Sequence, residues 1–424
     1  MAATMTSTSP QLTRRPPPRA AFRGRRLRRV PALCVAIFPL LVASCATGPT
    51  ESARSSNDRQ TLRTHASFQL FRQLDKPGAR ATFERLRRLE PEDAEVLRSL
   101  AALYADAREW PQAIAAAEAL VRQSPNSAEA LDTKAEVLLA AGQFDPAEAA
   151  FREALAVDRG FAPAYSGLAS VKLYREDWDA AVAAVEQGIA SVEEVAERDT
   201  LTALLGWIQL AADRPEEARA TLKQALAKRA LDSGFSMIDL NLAIERQSWT
   251  EAQTAAAAVL ADAERVNAPA HPRRWITLLQ VIASSRAGDL EAAERGLASL
   301  EAGSGSLEPW ITKDLSFARG HVALAKRETD LAVASFTDRW VLNHNSLFDP
   351  GRGNPQPSLG QFALKGKLLA AEALAQAGRT AEAARILDEL ASTYHRGIGA
   401  VMVHQQALQA RRAIGEFAGE EAFR

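Results

Sequence analysis

The side chains of this chain that could hold a metal, move a proton or attack a carbonyl carbon are six histidines, two cysteines and 52 carboxylates. Their spacing does not gather them into a site. His65, His271, His321, His344, His395 and His404 include no HExxH pair and none sits beside a cysteine, so no metal centre is expected. His395 and His404, nine residues apart, share neither a helix face nor a ligand spacing. Gly351-Arg352-Gly353 is not followed by the lysine and helix that a phosphate-binding loop needs, and reads as turn chemistry. There is no GxSxG elbow for a serine nucleophile. The carboxylates run along helix surfaces, where pairing with Arg or Lys four residues away accounts for them. No catalytic residue and no cofactor is expected. The competing reading is a hydrolase or glycan-modifying enzyme with a dispersed carboxylate site, which two acids converging in a cleft with raised pKa values would favour.

Charge narrows the partners. The formal net charge is −1, but eight of the 51 basic residues (Arg14, Arg15, Arg19, Arg23, Arg25, Arg26, Arg28 and Arg29) precede Cys45 in a segment with no acid. The remainder carries 43 basic against 52 acidic residues, a net of −9. Phosphate binding needs a basic face, so with this balance no nucleic-acid partner is expected.

The one cysteine placed for chemistry is Cys45. Val30 to Val42 is almost purely apolar, too short to span a bilayer as a stable helix and suited to a signal-peptide core. It ends in Val42-Ala43-Ser44-Cys45, which resembles the lipobox of bacterial lipoproteins. The resemblance implies cleavage before Cys45, acylation of Cys45, and, with Ala46 rather than Asp following, an outer-membrane position facing the periplasm. Several acyl chains together give durable attachment where one gives marginal binding. Residues 1–44 are thus read as the signal peptide and 45–59 as a flexible, lipid-anchored tether. Cys34 lies inside the apolar run and would be lost with it, which excludes a disulfide framework in the mature chain.

The elements that would position any functional side chain are repeats. Windows opening at Ala94, Ala128 and Ala162 lie 34 residues apart. Their eighth positions are Ala101, Ala135 and Ala169, their seventeenth Trp110, Phe144 and Trp178, and their twentieth Ala113, Ala147 and Ala181. Small residues let two helices approach closely, and an aromatic at the turn fills the wedge between them. The pattern resembles the tetratricopeptide repeat family, which implies helix-turn-helix units stacked into a superhelix and an interaction scaffold. Other family positions appear scattered at Tyr165, Leu100, Leu168, Tyr104, Phe151, Ala154 and Pro125.

One period earlier a window opens at Gln60, and looser windows follow at Asp199, Ser233, Arg274, Lys313 and Leu364, nine units in all. The array is assigned to 60–396, with a flexible joint at Gly303-Ser304-Gly305-Ser306 and a loop insertion near 343–360. Residues 397–424 are assigned to a capping helix, expected over Val401 to Phe417, and a tail.

By the family's register, positions 2, 5, 9 and 12 line the concave groove. In the early repeats they give a polar floor of Glu95, Arg98, Ala102 and Ala105, then Glu129, Asp132, Glu136 and Leu139. Midway the floor is expected to turn apolar, through Trp207, Leu210, Met237, Asn241, Ile244, Trp275, Leu278 and Ile282. That stretch is either a docking site for a partner's apolar segment or amphipathic helix, or residues that degenerate repeats bury among themselves. The expectation is an all-α, superhelical solenoid of tetratricopeptide-like repeats: a non-enzymatic adaptor binding proteins of the cell envelope, attached to the membrane through its N-terminal lipid.

Overall fold

The computed structural model describes residues 51–70, 75–233, 237–302, 309–342 and 362–421. Two compact units divide the chain, Met1–Ser55 and Ser56–Arg424, and the repeats belong to the second. The signal segment, Cys45, the joint at 303–306 and the insertion at 343–360 lie outside the described residues.

Among the described residues every regular element is a helix, and the helices pair into hairpins. The first pair is α1 (Glu51–Phe68) and α2 (Lys76–Leu89). Then come α3 (Ala94–Asp106) with α4 (Trp110–Gln123), α5 (Ala128–Ala140) with α6 (Phe144–Val157), and α7 (Ala162–Tyr174) with α8 (Trp178–Ser191). The looser pairs are α9 (Val195–Ala211) with α10 (Pro215–Ser233), α11 (Ile238–Glu245) with α12 (Trp249–Arg265), and α13 (Ala270–Ala287) with α14 (Leu290–Ala302). After α15 (Pro309–Ala325) and α16 (Thr329–Phe336) come the single turn α17 (Arg339–Leu342), the last pair α18 (Phe362–Gln376) and α19 (Thr380–Ala391), and α20 (Ile398–Glu421). No described helix is long and apolar enough to cross a membrane.

One backbone device sets each hairpin. Arg108, Gly142, Glu176, Asp213, Gln247, Gly288, Arg327 and Gly378 all have positive φ, and each is the fifteenth residue of a window read from the sequence. A left-handed residue ends a helix by turning the chain so that the following N–H caps a carbonyl five residues back. Glu109, Gln143 and Asp177 make that bond to Tyr104, Leu138 and Lys172 at 2.8 to 3.0 Å. The second helix then begins two residues after the turn, at the wedge position: Trp110, Phe144, Trp178 and Trp249 each open one. Several first helices are capped by a side chain, as where Asp93 accepts from Val96 N and Ser127 from Ala130 N.

Packing explains the alanines. Ala113, Ala147, Ala181, Ala218, Ala252, Ala293, Ala332 and Ala383, the twentieth residue of each window, are all fully buried. A larger side chain there would hold the two helices of a hairpin apart. The pairs stack into a continuous series of apolar clusters along the array, since one hairpin cannot bury its own apolar face.

Both ends differ from expectation. The segment expected to be a tether through residue 59 is helical from Glu51. Its polar composition suits an exposed helix as well as a linker, and its anchorage comes later, where Leu62, Ala66 and Leu70 pack against the α2–α3 core. At the other end α20 begins three residues earlier than expected and does more than shield the last repeat. It packs on α18 and α19, and its first turn also reaches α7 and α9. Ile398 and Val401 are buried there in one cluster with Tyr165 and Trp207.

Candidate functional site on the inner face of the early repeats

In the series α3, α5, α7 and α9 each helix touches the next of the series, besides its own hairpin partner. These first helices of successive hairpins pack side by side and form one face, the face that carries the groove positions read from the sequence and is called the inner face below. The segment that joins α19 to α20, residues 392–397, lies against it.

Backbone groups of the segment are held by side chains of α7. Tyr174 Oη donates to the His395 carbonyl at 2.9 Å and accepts from His395 N at 3.0 Å. Gly397 N donates to Ser170 Oγ at 2.9 Å. Gly397 has φ 106°, a conformation that side chains rarely adopt, and the turn it makes aims the preceding residue at α5.

That residue is Arg396. Its Nη2 lies 2.6 Å from Asp132 Oδ1 and 3.0 Å from Glu136 Oε1, its Nη1 donates to the Pro163 carbonyl at 3.1 Å, and its guanidinium stands 5.2 Å from the centre of the Phe151 ring. Asp132 and Glu136 are one turn apart on α5 and both are buried, so their carboxylates converge on one point. Burial works against the arginine's charge, and the two carboxylates outweigh it, so its pKa is raised.

The flanks are held as firmly. Tyr394 meets Phe144 and Tyr174 edge-on at 5.1 Å each, and His404 of α20 closes the cluster 5.1 Å away. The Tyr394 ring lies where a β-carbon on Gly142 would sit 3.1 Å from it, so the glycine serves both the left-handed turn and the close approach. Arg108 donates to Ser392 Oγ and to the Glu389 carbonyl, both at 3.0 Å, and to Thr393 Oγ1. Burial raises the Tyr174 pKa and lowers those of His395 and His404, so all three are neutral at pH 7.

Asp132 and Glu136 belong to the polar floor expected from the sequence, and the structure places both in the site. The apolar floor lies elsewhere, and most of it is buried. Trp207 is 2% exposed, Leu278 is fully buried, and Ile282, Asn241 and Ile244 are buried between helices. Met237 and Trp275 keep partial exposure against the same core as Ile244, Leu278 and Ile282, and Leu210 does so beside Trp207. Of the two readings of this stretch, Trp207, Leu278, Ile282, Asn241 and Ile244 take the second, burial among the repeats, while Leu210, Met237 and Trp275 keep part of their surface. Reasoning from sequence misses Arg396, since it places the end of the array there. The signal available was a buried-type acid pair at groove positions and an Arg-Gly turn beyond the last repeat.

Farther along, Arg286 of α13 grips Glu372 of α18 with two bonds, at 2.5 and 2.7 Å, and stands over the Trp249 ring. Asp314 is buried and its pKa is raised by that burial, but the groups nearest it are Lys313 and Arg274 rather than a second acid. Among the described residues no group of His, Cys, Asp and Glu could hold a metal ion.

The tetratricopeptide repeat family model matches residues 70–128 and 166–234. Those two stretches are tetratricopeptide repeats. With the recurring hairpin turn and buried alanines on both sides of them, the fold is an all-α solenoid of tetratricopeptide-like repeats. No curated protein matches the chain. Among solved structures, a thermophilic TPR protein of Thermus thermophilus is 22% identical, over 45% of this chain and 97% of its own, with a TM-score of 0.35. PilF of Pseudomonas aeruginosa is 17% identical over 50% and 93%, and PilW, a widely conserved type IV pilus biogenesis factor, 18% over 50% and 93%, each with a TM-score of 0.34.

Proposed function

We propose that the chain is a non-enzymatic scaffold of the bacterial envelope, whose repeats bind protein segments. One observation carries this reading: side chains of successive repeats hold the backbone of an irregular peptide segment, with Tyr174 and Ser170 bonding main-chain groups and Asp132 and Glu136 taking the charged side chain of Arg396. A surface that holds peptide backbone in this way is equipped for protein partners. The enzymatic alternative would be favoured by two acids converging in a cleft with raised pKa values. Asp132 and Glu136 converge, but on the guanidinium of Arg396, in an ion-paired contact rather than an open cleft.

The anchor completes the proposal. Val42-Ala43-Ser44-Cys45 supports lipidation of Cys45 and attachment to the outer membrane on its periplasmic side, where the array would act as an adaptor for assembling or regulating a secretin, a polymer exporter or peptidoglycan enzymes. Crosslinking in intact envelopes followed by recovery of the chain is the test. Specific envelope proteins should be recovered with the wild type, and fewer with Cys45→Ser, which should also fail to incorporate labelled palmitate. Equal labelling of both would remove the anchor, and recovery of no protein above background would remove the scaffold.

A further inference from the structure

We propose that the inner face of α5 and α7 is an exchangeable binding site for an arginine-bearing, non-helical protein segment, and that residues 392–397 are its built-in competitor. The inference rests on reading the array as a protein-binding scaffold, and it names what the early repeats bind and how access is controlled.

Arg396 is anchored by two carboxylates, Asp132 and Glu136, from a single turn of α5. The guanidinium reaches both acids through Nη2 and the Pro163 carbonyl through Nη1 while standing over the Phe151 ring, a set of directions that a lysine ammonium does not reproduce. The other bonds go to backbone groups that every peptide has: the His395 N–H and carbonyl on Tyr174, and the Gly397 N–H on Ser170. Nothing in this set depends on the segment belonging to the same chain. Any segment presenting Arg-Gly in the same turn meets the same partners.

The position of the segment adds the control. It is a six-residue connection between α19 and α20, and α20 packs along α18 and α19 as well as on α7 and α9. In the open state residues 392–397 and the first two turns of α20, His404 included, would leave α7 while the rest of α20 stays on α18 and α19, and the acid pair would be exposed. The intact chain therefore presents the site occupied, and a ligand's apparent affinity is reduced by the fraction of molecules in which it is free.

The test uses the full chain and a fluorescent peptide spanning residues 390–399 as the probe, read by anisotropy. Wild type should bind it weakly, and Arg396→Ala should lower the dissociation constant by about tenfold or more as the competitor is lost. Adding Asp132→Asn to Arg396→Ala should return binding to the wild-type level, and a peptide with alanine at position 396 should not bind either chain. If Arg396→Ala unfolds below the working temperature, Arg396→Gln, which removes the charge and keeps much of the side chain's length, replaces it. A folded variant that binds the peptide no better than wild type overturns the proposal and makes the segment a permanent strut. Recovery of envelope partners by wild type alongside that result would leave the scaffold reading standing without the competitor, so the two failures are distinguishable.

Discussion

Tyr174 and His395 are 221 residues apart in sequence, and one phenolic oxygen satisfies both the N–H and the carbonyl of the histidine. Two backbone groups of a half-buried residue depend on it for their partner.

Tyr174→Phe keeps the ring contacts with Phe144, Tyr394 and His404 and removes only those two bonds. Leaving a buried group unsatisfied costs about 1 to 3 kcal/mol. Hydrogen exchange should rise in residues 390–400 while the amides of α2 and α3 keep their protection. Unchanged exchange at 390–400 would show that the segment is held by its apolar flank alone.

Trp207 separates core from docking surface. Trp207→Ala should destabilise the chain by about 3 to 5 kcal/mol in denaturant unfolding, as for other large aromatic truncations in cores. The indole N–H is buried without a hydrogen-bond partner, so Trp207→Phe loses volume but no bond, and should cost about half as much or less. A near-normal midpoint for the alanine variant would restore the residue to a partner-facing role.

The twentieth position should tolerate no growth. Ala147→Leu inserts three carbons where helices of one hairpin meet and should cost about 1 to 3 kcal/mol. Ala156→Leu, on the exposed side of the same helix, should stay within about 0.5 kcal/mol. Equal effects would mean that close contact at Ala147 does not set the hairpin.

Acid should weaken the fold in two stages. Burial lowers the pKa of His321 and His395; the charges of Arg286 and Lys365 add to this at His321, while at His395 Lys76 and Arg108 lower it and Asp106 and Glu136 oppose. The unfolded chain then binds more protons than the folded one below about pH 6.5, so stability falls as pH drops from there. Glu148 behaves differently: burial raises its pKa, but the hydrogen bond from Lys172 and the charges of Arg152, Lys172 and Arg175 prevail and lower it. Its contribution is complete above the ordinary value of 4.5 and is lost as pH falls through the lowered native value. Thermal midpoints measured from about pH 7.5 to 3 should show both declines, with His321→Phe reducing the first and Glu148→Gln the second. A flat profile between about pH 7 and 5.5 would show that the histidines are solvated.

The repeats were legible because each hairpin meets a neighbour like itself, so Ala101, Ala113 and Trp110 recur at fixed steps. The turn residue was less visible, since five of its eight occurrences (Arg108, Glu176, Asp213, Gln247 and Arg327) are not glycine, and hydrogen bonding outweighs their left-handed strain. Arg396 and Asp132 were not legible as a pair. They are 264 residues apart, and no period links a connection after the last repeat to the second groove position of an early one. The burial of Trp207 and Leu278 was one of two readings, and the sequence did not decide between them for another reason. Position in a repeat says which face a residue is on, whereas the closeness of the next helix on that face depends on the spacing between turns, which widens from 34 residues to as many as 51 along the array.

The bonds between α7 and the segment after α19 also decide how the molecule bears tension. In an open stack a pull between the first repeats and the C-terminus loads each hairpin in series. Here Arg108, Asp132 and Glu136 of α5, and Tyr174 and Ser170 of α7 pass part of the force directly into residues 389–397, which relieves the hairpins between while those bonds hold. Once they give, up to 221 residues come under strain together, a slack of roughly 730 to 800 Å if fully drawn out at 3.3 to 3.6 Å per residue. Tyr174, Ser170, Asp132 and Glu136 thus act as a mechanical fuse, short and stiff below its breaking force and very long above it.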